Sequence, residues 1–369
     1  MAITNFAALT QQQKLVWSKD VWKAAREKTF INKFIGDDEN NVIQRITELT
    51  RTEKGEQCIM HLVADLVGDG VVGDDEREGM EEALQSYNDI ISIDLISHGV
   101  TNKGKLSDQK SVIKFREQGR DKLSYWLANR IDQLAFLTLS SIDYSFNNDG
   151  SIRVGSSFPK LSFAKDIIAP TSKRLLVWNN TNSNFTTYAT NASTTVNDTV
   201  SYKMFTKALA YAKDHYIKPL TAGGKEFYVF FVKPGTIAQL KNDSTYMNAV
   251  VQAAPRDMNN PFFTGAVVTL DGAIIHESRL VYSTTGAASG SKWGAGSAIE
   301  GTRTLLCGAQ ALGMADLGAP EWSEKEFQYE SRQGINTDKM FGLLKPKFYS
   351  IYDKSEQDFG VVCIDHALS

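Results

Sequence analysis

Leu270-Asp271-Gly272-Ala273-Ile274-Ile275-His276-Glu277-Ser278, Leu305-Leu306-Cys307-Gly308-Ala309-Gln310-Ala311-Leu312-Gly313 and Phe359-Gly360-Val361-Val362-Cys363-Ile364-Asp365 decide how this chain is read. Each is a short apolar run bounded or broken by glycine, the pattern of buried strands joined by tight turns. Asp271-Gly272 lies between the apolar runs 266–270 and 273–276 and predicts a hairpin turn of type I′. Asn260-Pro261-Phe262-Phe263-Thr264-Gly265-Ala266 precedes them. None of these blocks pairs a nucleophile with a base or clusters metal ligands. They are built for packing.

Working outward, Phe227-Tyr228-Val229-Phe230-Phe231-Val232 reads as a fully buried strand ended by Pro234-Gly235. Thr236 is expected to cap a short helix through Leu240, and 201–216 reads as a further helix. Strand, helix and hairpin together predict an α+β fold. Upstream, Val112, Phe115, Gly119, Leu123, Trp126, Leu127, Ile131 and Leu134 follow helical spacing over 107–139. Roughly 30 residues at 1.5 Å each make a beam of about 45 Å. The Asn-, Ser- and Thr-rich stretch 147–201 reads as surface loop, with a short strand near 175–178. The tail returns to β at 339–348 and 359–364.

The N-terminal third carries charge in two blocks. Residues 1–36 sum to +4, with Val16, Trp17, Val21, Trp22 and Ala25 at helical spacing. Two tryptophans on a short helix with no core around them want a partner surface. Strand candidates at 58–67 and 90–96 bracket a glycine-rich acidic stretch, which suits an extended hairpin with an elaborated tip. Over 69–82 seven carboxylates face only Arg77, a sum of −6. The candidate inter-subunit contacts are Trp17, Trp22, Lys23 and Arg26 on the arm and Asp74, Asp75 and Glu76 on the hairpin tip.

Several functions are excluded or disfavoured. A net charge of −3 over 369 residues argues against a protein built to grip DNA. Cys58, Cys307 and Cys363 are odd in number and far apart, so neither a disulfide framework nor a zinc site is encoded, and a reducing compartment is expected. The N-terminus lacks signal-peptide character, and no apolar run approaches a membrane span. The two glycosylation-type triplets at Asn191 and Asn197 are then chance matches. Gly68-Asp69-Gly70-Val71-Val72-Gly73 matches a dinucleotide-binding spacing, with Asp94 placed 21 residues beyond it. Its rival reading, a nucleotide-cofactor enzyme, fails on charge: carboxylates crowd the helix end that a pyrophosphate would need. The five histidines are scattered, and His276-Glu277 is not part of a zinc-binding pair. The Gly/Ser-rich stretch 286–301 reads as an exposed loop around Trp293. No catalytic residue, cofactor or metal is expected.

The order of these parts resembles tailed-phage major capsid proteins of the Hong Kong 97-like fold, and more specifically the N4-like coat-protein family. The matching blocks are Leu66-Val67-Gly68-Asp69-Gly70 with Glu81-Glu82-Ala83-Leu84, Arg130-Ile131-Asp132, Asn260-Pro261 with Thr264-Gly265-Ala266, Gly272 to Ser278, and Asp358-Phe359-Gly360-Val361. The resemblance implies an N-terminal arm over 1–44, an extended loop over 45–105 and a peripheral domain with spine helix and surface insertion over 106–200. An axial domain over 201–319 and returning peripheral strands over 320–369 complete it. It also implies hexamers and pentamers of an icosahedral shell around double-stranded DNA, touched non-specifically. A separate scaffolding protein is expected, because no coiled-coil preface occurs in the chain, together with a portal and decoration proteins. The expected location is the virion, after assembly in the host bacterial cytoplasm. Nothing marks a Lys–Asn crosslinking pair. A related non-viral compartment shell is a further rival.

Overall fold

The computed structural model describes residues 23–25, 28–47, 55, 57–63, 66, 70–73, 78, 86–104, 115–187, 191–253, 268–270, 272–329 and 331–368. In chain order the N-terminal part holds β1 (Ile35–Gly36), β2 (Ile43–Ile46), β3 (Gln57–Val63), β4 (Ser86–Ser92), β5 (Asp94–Thr101) and helix α1 (Phe115–Leu139). The middle holds β6 (Leu175–Asn179), β7 (Asn184–Thr187), α2 (Tyr202–Asp214), β8 (Leu220–Ala222), β9 (Lys225–Val232), α3 (Pro234–Asn242) and α4 (Ser244–Ala253). After β10 (Val268–Leu270) and β11 (Ala273–Glu277) come β12 (Gly301–Cys307), β13 (Leu312–Asp316), β14 (Glu321–Phe327) and β15 (Arg332–Leu344). The chain closes with β16 (Lys347–Ser350), β17 (Ser355–Asp358) and β18 (Val361–Ala367). The class is α+β.

An eight-stranded sheet in the order β10-β11-β9-β12-β18-β6-β7, with β8 on β9, is the centre of the molecule. Period-2 alternation splits its side chains between two cores. Val229, Phe231, Leu305, Cys307, Val361 and Cys363 face one core with the C-terminal half of α1. Tyr228, Phe230, Val232, Leu306, Val362 and Ile364 face the other, against Met204, Phe205, Ala208 and Leu209 of α2 and Leu240 of α3. A sheet covered on both faces explains why these strands read as continuous apolar runs. Each buried aromatic contributes about 1.5–3 kcal/mol.

A second, six-stranded sheet runs β1-β2-β13-β15-β14, with β5 also on β15. Ile43, Leu312, Met314, Phe341 and Leu343 from it complete the first core, so α1 lies against both sheets. Every residue from Leu134 to Leu139 is buried, which is why helical amphipathicity fades there. The helix stops at Ser141, whose φ of 55° sets the left-handed cap; Ile142 N–H then donates back to the Leu137 carbonyl at 2.9 Å.

Four expectations need correction. The stretch 147–201 is not all surface: Phe163, Arg174 and Trp178 are buried, and β6 pairs parallel with β18. The run 90–96 is not one strand. It breaks at Ile93, β4 pairing with β3 and β5 crossing to β15 of the six-stranded sheet. Lys233, not Thr236, is the N-cap of α3, with Pro234 at the first helical position, where its fixed φ fits. Thr236 is buried, with its hydroxyl 3.5 Å from His366 Nε2. The β return over 339–348 also breaks, at Lys345-Pro346 between β15 and β16. The long helix is described from Phe115; its expected first turns at 107–114 lie outside the described residues. The predicted hairpin at Asp271-Gly272 is present as β10–β11, with Gly272 at φ 88°.

Candidate assembly interface

The N-terminal segment is fastened to the long helix by one carboxylate. Asp132 lies on the buried face of α1, one helical turn from Ala128 and next to Ile131. It accepts hydrogen bonds from the Phe30 and Ile31 backbone N–H groups at 2.9 and 3.1 Å. Those N–H groups open the short 3₁₀ helix over Ile31–Phe34, so a carboxylate from another element caps it. Around this latch Phe30 and Phe34 stack edge-on with Phe231 at 6.2 and 4.8 Å. Burial pushes the Asp132 carboxyl up to about 6, against the pull of its two N–H partners.

The β3–β4 hairpin shows the alternation of a one-sided ribbon. Cys58, Met60 and Leu62 pack inward with Ile46, Ile91, Ala315 and Phe359. Ile59 and Val63 point outward, and Ile59 sits directly opposite Ile90 on β4. Ile59 and Ile90 thus pair two large aliphatic side chains on an exposed face. The hairpin base is seated by glycine. A Cβ on Gly342 would lie 2.3 Å from the Ser92 carbonyl oxygen, and one on Gly313 would lie 2.7 Å from Met60 Sδ. Only a hydrogen at those positions lets the ribbon lie this close to β13 and β15.

The buried charges hold the fold together internally. Arg303 on β12 faces Asp365 on β18 in a two-pronged pair at 2.7 and 2.8 Å. Its third contact is the Ser140 carbonyl at 2.6 Å, beyond the C-terminus of α1, where a cation is favoured. Burial alone would lower the guanidinium's pKa; Asp365 outweighs it and the net direction is up. Lys345–Asp358 at 2.8 Å and Lys339–Asp316 are further buried pairs. Asp353 gathers Arg174 at 3.4 Å and His215 Nδ1 at 2.6 Å. His366 is held neutral: burial pushes it down to about 4, while Nδ1 donates to the Ala367 carbonyl at 3.0 Å. Cys307 and Cys363 are pushed up by burial, which leaves them as inert thiols. Among the described residues no cluster of three metal-ligating side chains occurs, and no helix is long and apolar enough to cross a membrane.

Of the contact residues read from the sequence, Trp17, Trp22, Arg26, Asp74, Asp75 and Glu76 lie outside the described residues. Lys23 is exposed, seven residues before Phe30 of the latch. Sequence reasoning missed the roles of Asp132 and of the Arg303–Asp365 pair. The available signal was an acid placed within the apolar period of α1, where a lone carboxylate needs a partner.

A family model for phage capsid protein matches residues 5–369. This chain belongs to the phage capsid protein family. It is 47% identical over 361 residues, covering 97% of this chain and 96% of its relative, to the major capsid protein of Pseudomonas phage KPP25. Its fold is similar to the capsid of Ralstonia phage GP4, with a TM-score of 0.76 and 26% identity over 100% of this chain and 98% of the other. It is also similar in fold to the capsid asymmetric unit of cyanophage Pam1, with a TM-score of 0.71 and 20% identity over 100% and 96% of the two chains.

Proposed function

We propose that the chain is the major capsid protein of a tailed phage, and that its copies close into an icosahedral shell. The observation that carries this is the full-length similarity to a phage major capsid protein at 47% identity. The shell encloses double-stranded DNA and is tiled by hexamers and pentamers. Its subunit follows the Hong Kong 97-like plan of the N4-like coat proteins. Residues 1–44 then act as the arm, 45–105 as the extended loop, 106–200 and 320–369 as the peripheral domain, and 201–319 as the axial domain. In support, the arm is fastened to the long helix through Asp132, and Ile59, Val63 and Ile90 lie exposed on the outward face of the β3–β4 hairpin.

Self-association works through many weak contacts, since one dominant contact would trap misassembled shells. The arm at +4 and the acidic tip at −6 set register on neighbouring copies more than affinity. A scaffolding protein sets curvature and a portal occupies one vertex. Assembly takes place in the bacterial cytoplasm. Near-neutral charge suits the inner wall, because a basic lining would hold DNA too tightly to release it. Analytical sedimentation of the chain, alone and co-expressed with a scaffolding protein, tests the reading. Capsomers or shells are expected; a monomer under both conditions contradicts it.

A further inference from the structure

Arg130 on α1 and Arg153 in the loop after it are two guanidinium groups that nothing around them neutralises fully. Arg130 on α1 donates to the Gln133 side chain at 2.5 Å and enters no ion pair among the described residues. Arg153 lies over the Phe158 ring at 5.1 Å and reaches the Phe146 carbonyl at 3.4 Å, while its Nε hydrogen-bonds nothing. The two are near enough that Arg130 adds to the lowering that burial imposes on Arg153. Asp149, the nearby acid, is held by Ser151 at 2.6 Å and shared with Lys233.

The loop is rigid. Phe146 and Ile152 form an antiparallel bridge, and Arg153 N–H donates to the Ser145 carbonyl at 2.7 Å. Gly150 sits at φ 82°, its would-be Cβ 2.7 Å from the Ser283 carbonyl oxygen. On this platform Ile152 is 69% exposed and Val154 91% exposed. Two under-neutralised arginines beside bare aliphatic side chains call for a partner that is acidic and apolar at once. The chain contains such a segment: Val71-Val72-Gly73-Asp74-Asp75-Glu76. Val72 is 81% exposed. Since Val72, Ile152 and Val154 are all bare on a single chain, they do not cover one another within it.

We infer that Arg130 and Arg153, flanked by Ile152 and Val154, receive residues 71–76 of a second copy of this chain. The inference rests on the shell reading and names one contact within it. Val71 and Val72 cover the aliphatic pair, and Asp74, Asp75 and Glu76 supply carboxylates to the guanidinium forks. Packaged DNA would engage the arginines but leave the aliphatic side chains bare, so it fits the site less well.

The test uses shells assembled in bacteria from the full chain co-expressed with a scaffolding protein. In the double variant Val72→Cys/Ile152→Cys, oxidation is expected to yield inter-subunit disulfides in assembled particles, since the bridge needs Cα atoms within roughly 7 Å. The native cysteines are buried and give little background. The charge variant R130E/R153E is expected to lower particle yield about tenfold, and adding D74R/D75R to restore most of it. Particles that form with no crosslink above the single-cysteine controls overturn the inference and leave the shell reading standing. So do R130E/R153E particles that form normally but retain less DNA, which makes the site a nucleic-acid contact. Absence of particles from the unmodified chain overturns both.

Discussion

At the scale of single residues, two buried titratable groups pull stability in opposite directions with pH. Asp132 has its folded pKa raised from 3.8 to about 6. The folded chain therefore holds this proton more tightly, and lowering pH from 6 towards 4 stabilises it. His366 has its folded pKa lowered from 6.5 to about 4. The unfolded chain holds that proton more tightly, so stability is full above 6.5 and falls as pH drops towards 4. Each contribution is on the order of 3 kcal/mol at its limit, and over this window the two largely offset. D132N should expose the histidine and steepen the loss of stability below pH 6.5. H366Q should reverse the slope, its denaturation midpoint rising as pH falls from 6 to 4. Urea midpoints at pH 4, 5, 6 and 7 check both, and parallel profiles for the two variants would refute the assignment. D132A should also free the 28–34 segment, read as faster backbone hydrogen exchange at Phe30 and Ile31.

At the scale of elements, the contacts between strands decide which positions tolerate change. R303M leaves Asp365 buried without its partner and should cost about 3–5 kcal/mol, whereas R303M/D365L should cost less than either single change. Gly342→Ala drives a methyl group into the Ser92 carbonyl and should cost about 2 kcal/mol, with the hairpin released to protease before global unfolding. Thermal unfolding with limited proteolysis separates these cases. The elements differ in how well the sequence announces them. Phe227 to Val232 and Val361 to Ile364 were legible because a sheet buried on both faces demands unbroken apolar runs. The break at Ile93 was not, since Ile90 to Ile96 is apolar at five of seven positions and holds no glycine or proline to mark it. Phe163 and Trp178 were hidden in a polar stretch, their burial decided by partners far along the chain. The Asp132 latch showed only as an acid inside the apolar period of α1; its partners, backbone N–H groups about a hundred residues away, were not legible.

At the scale of the whole molecule, two sheets share one long helix and one core, and buried ion pairs brace neighbouring strands within each sheet. In the proposed shell, association falls to the arm, the hairpin and the surface loops. If charge carries register as proposed, raising salt to about 1 M, where the screening length is near 3 Å, should weaken assembly. Neutralising Asp74, Asp75 and Glu76 together should weaken it further at low salt; unchanged yield would remove charge from the account. The most direct test of the central claim is electron cryo-microscopy of particles purified from cells making the chain with a scaffolding protein. The account predicts closed icosahedral shells in which each subunit shows the eight-stranded sheet against the long helix and the β3–β4 hairpin reaching a neighbouring copy. A discrete monomer or dimer, with no shell or capsomer in any preparation, would contradict it.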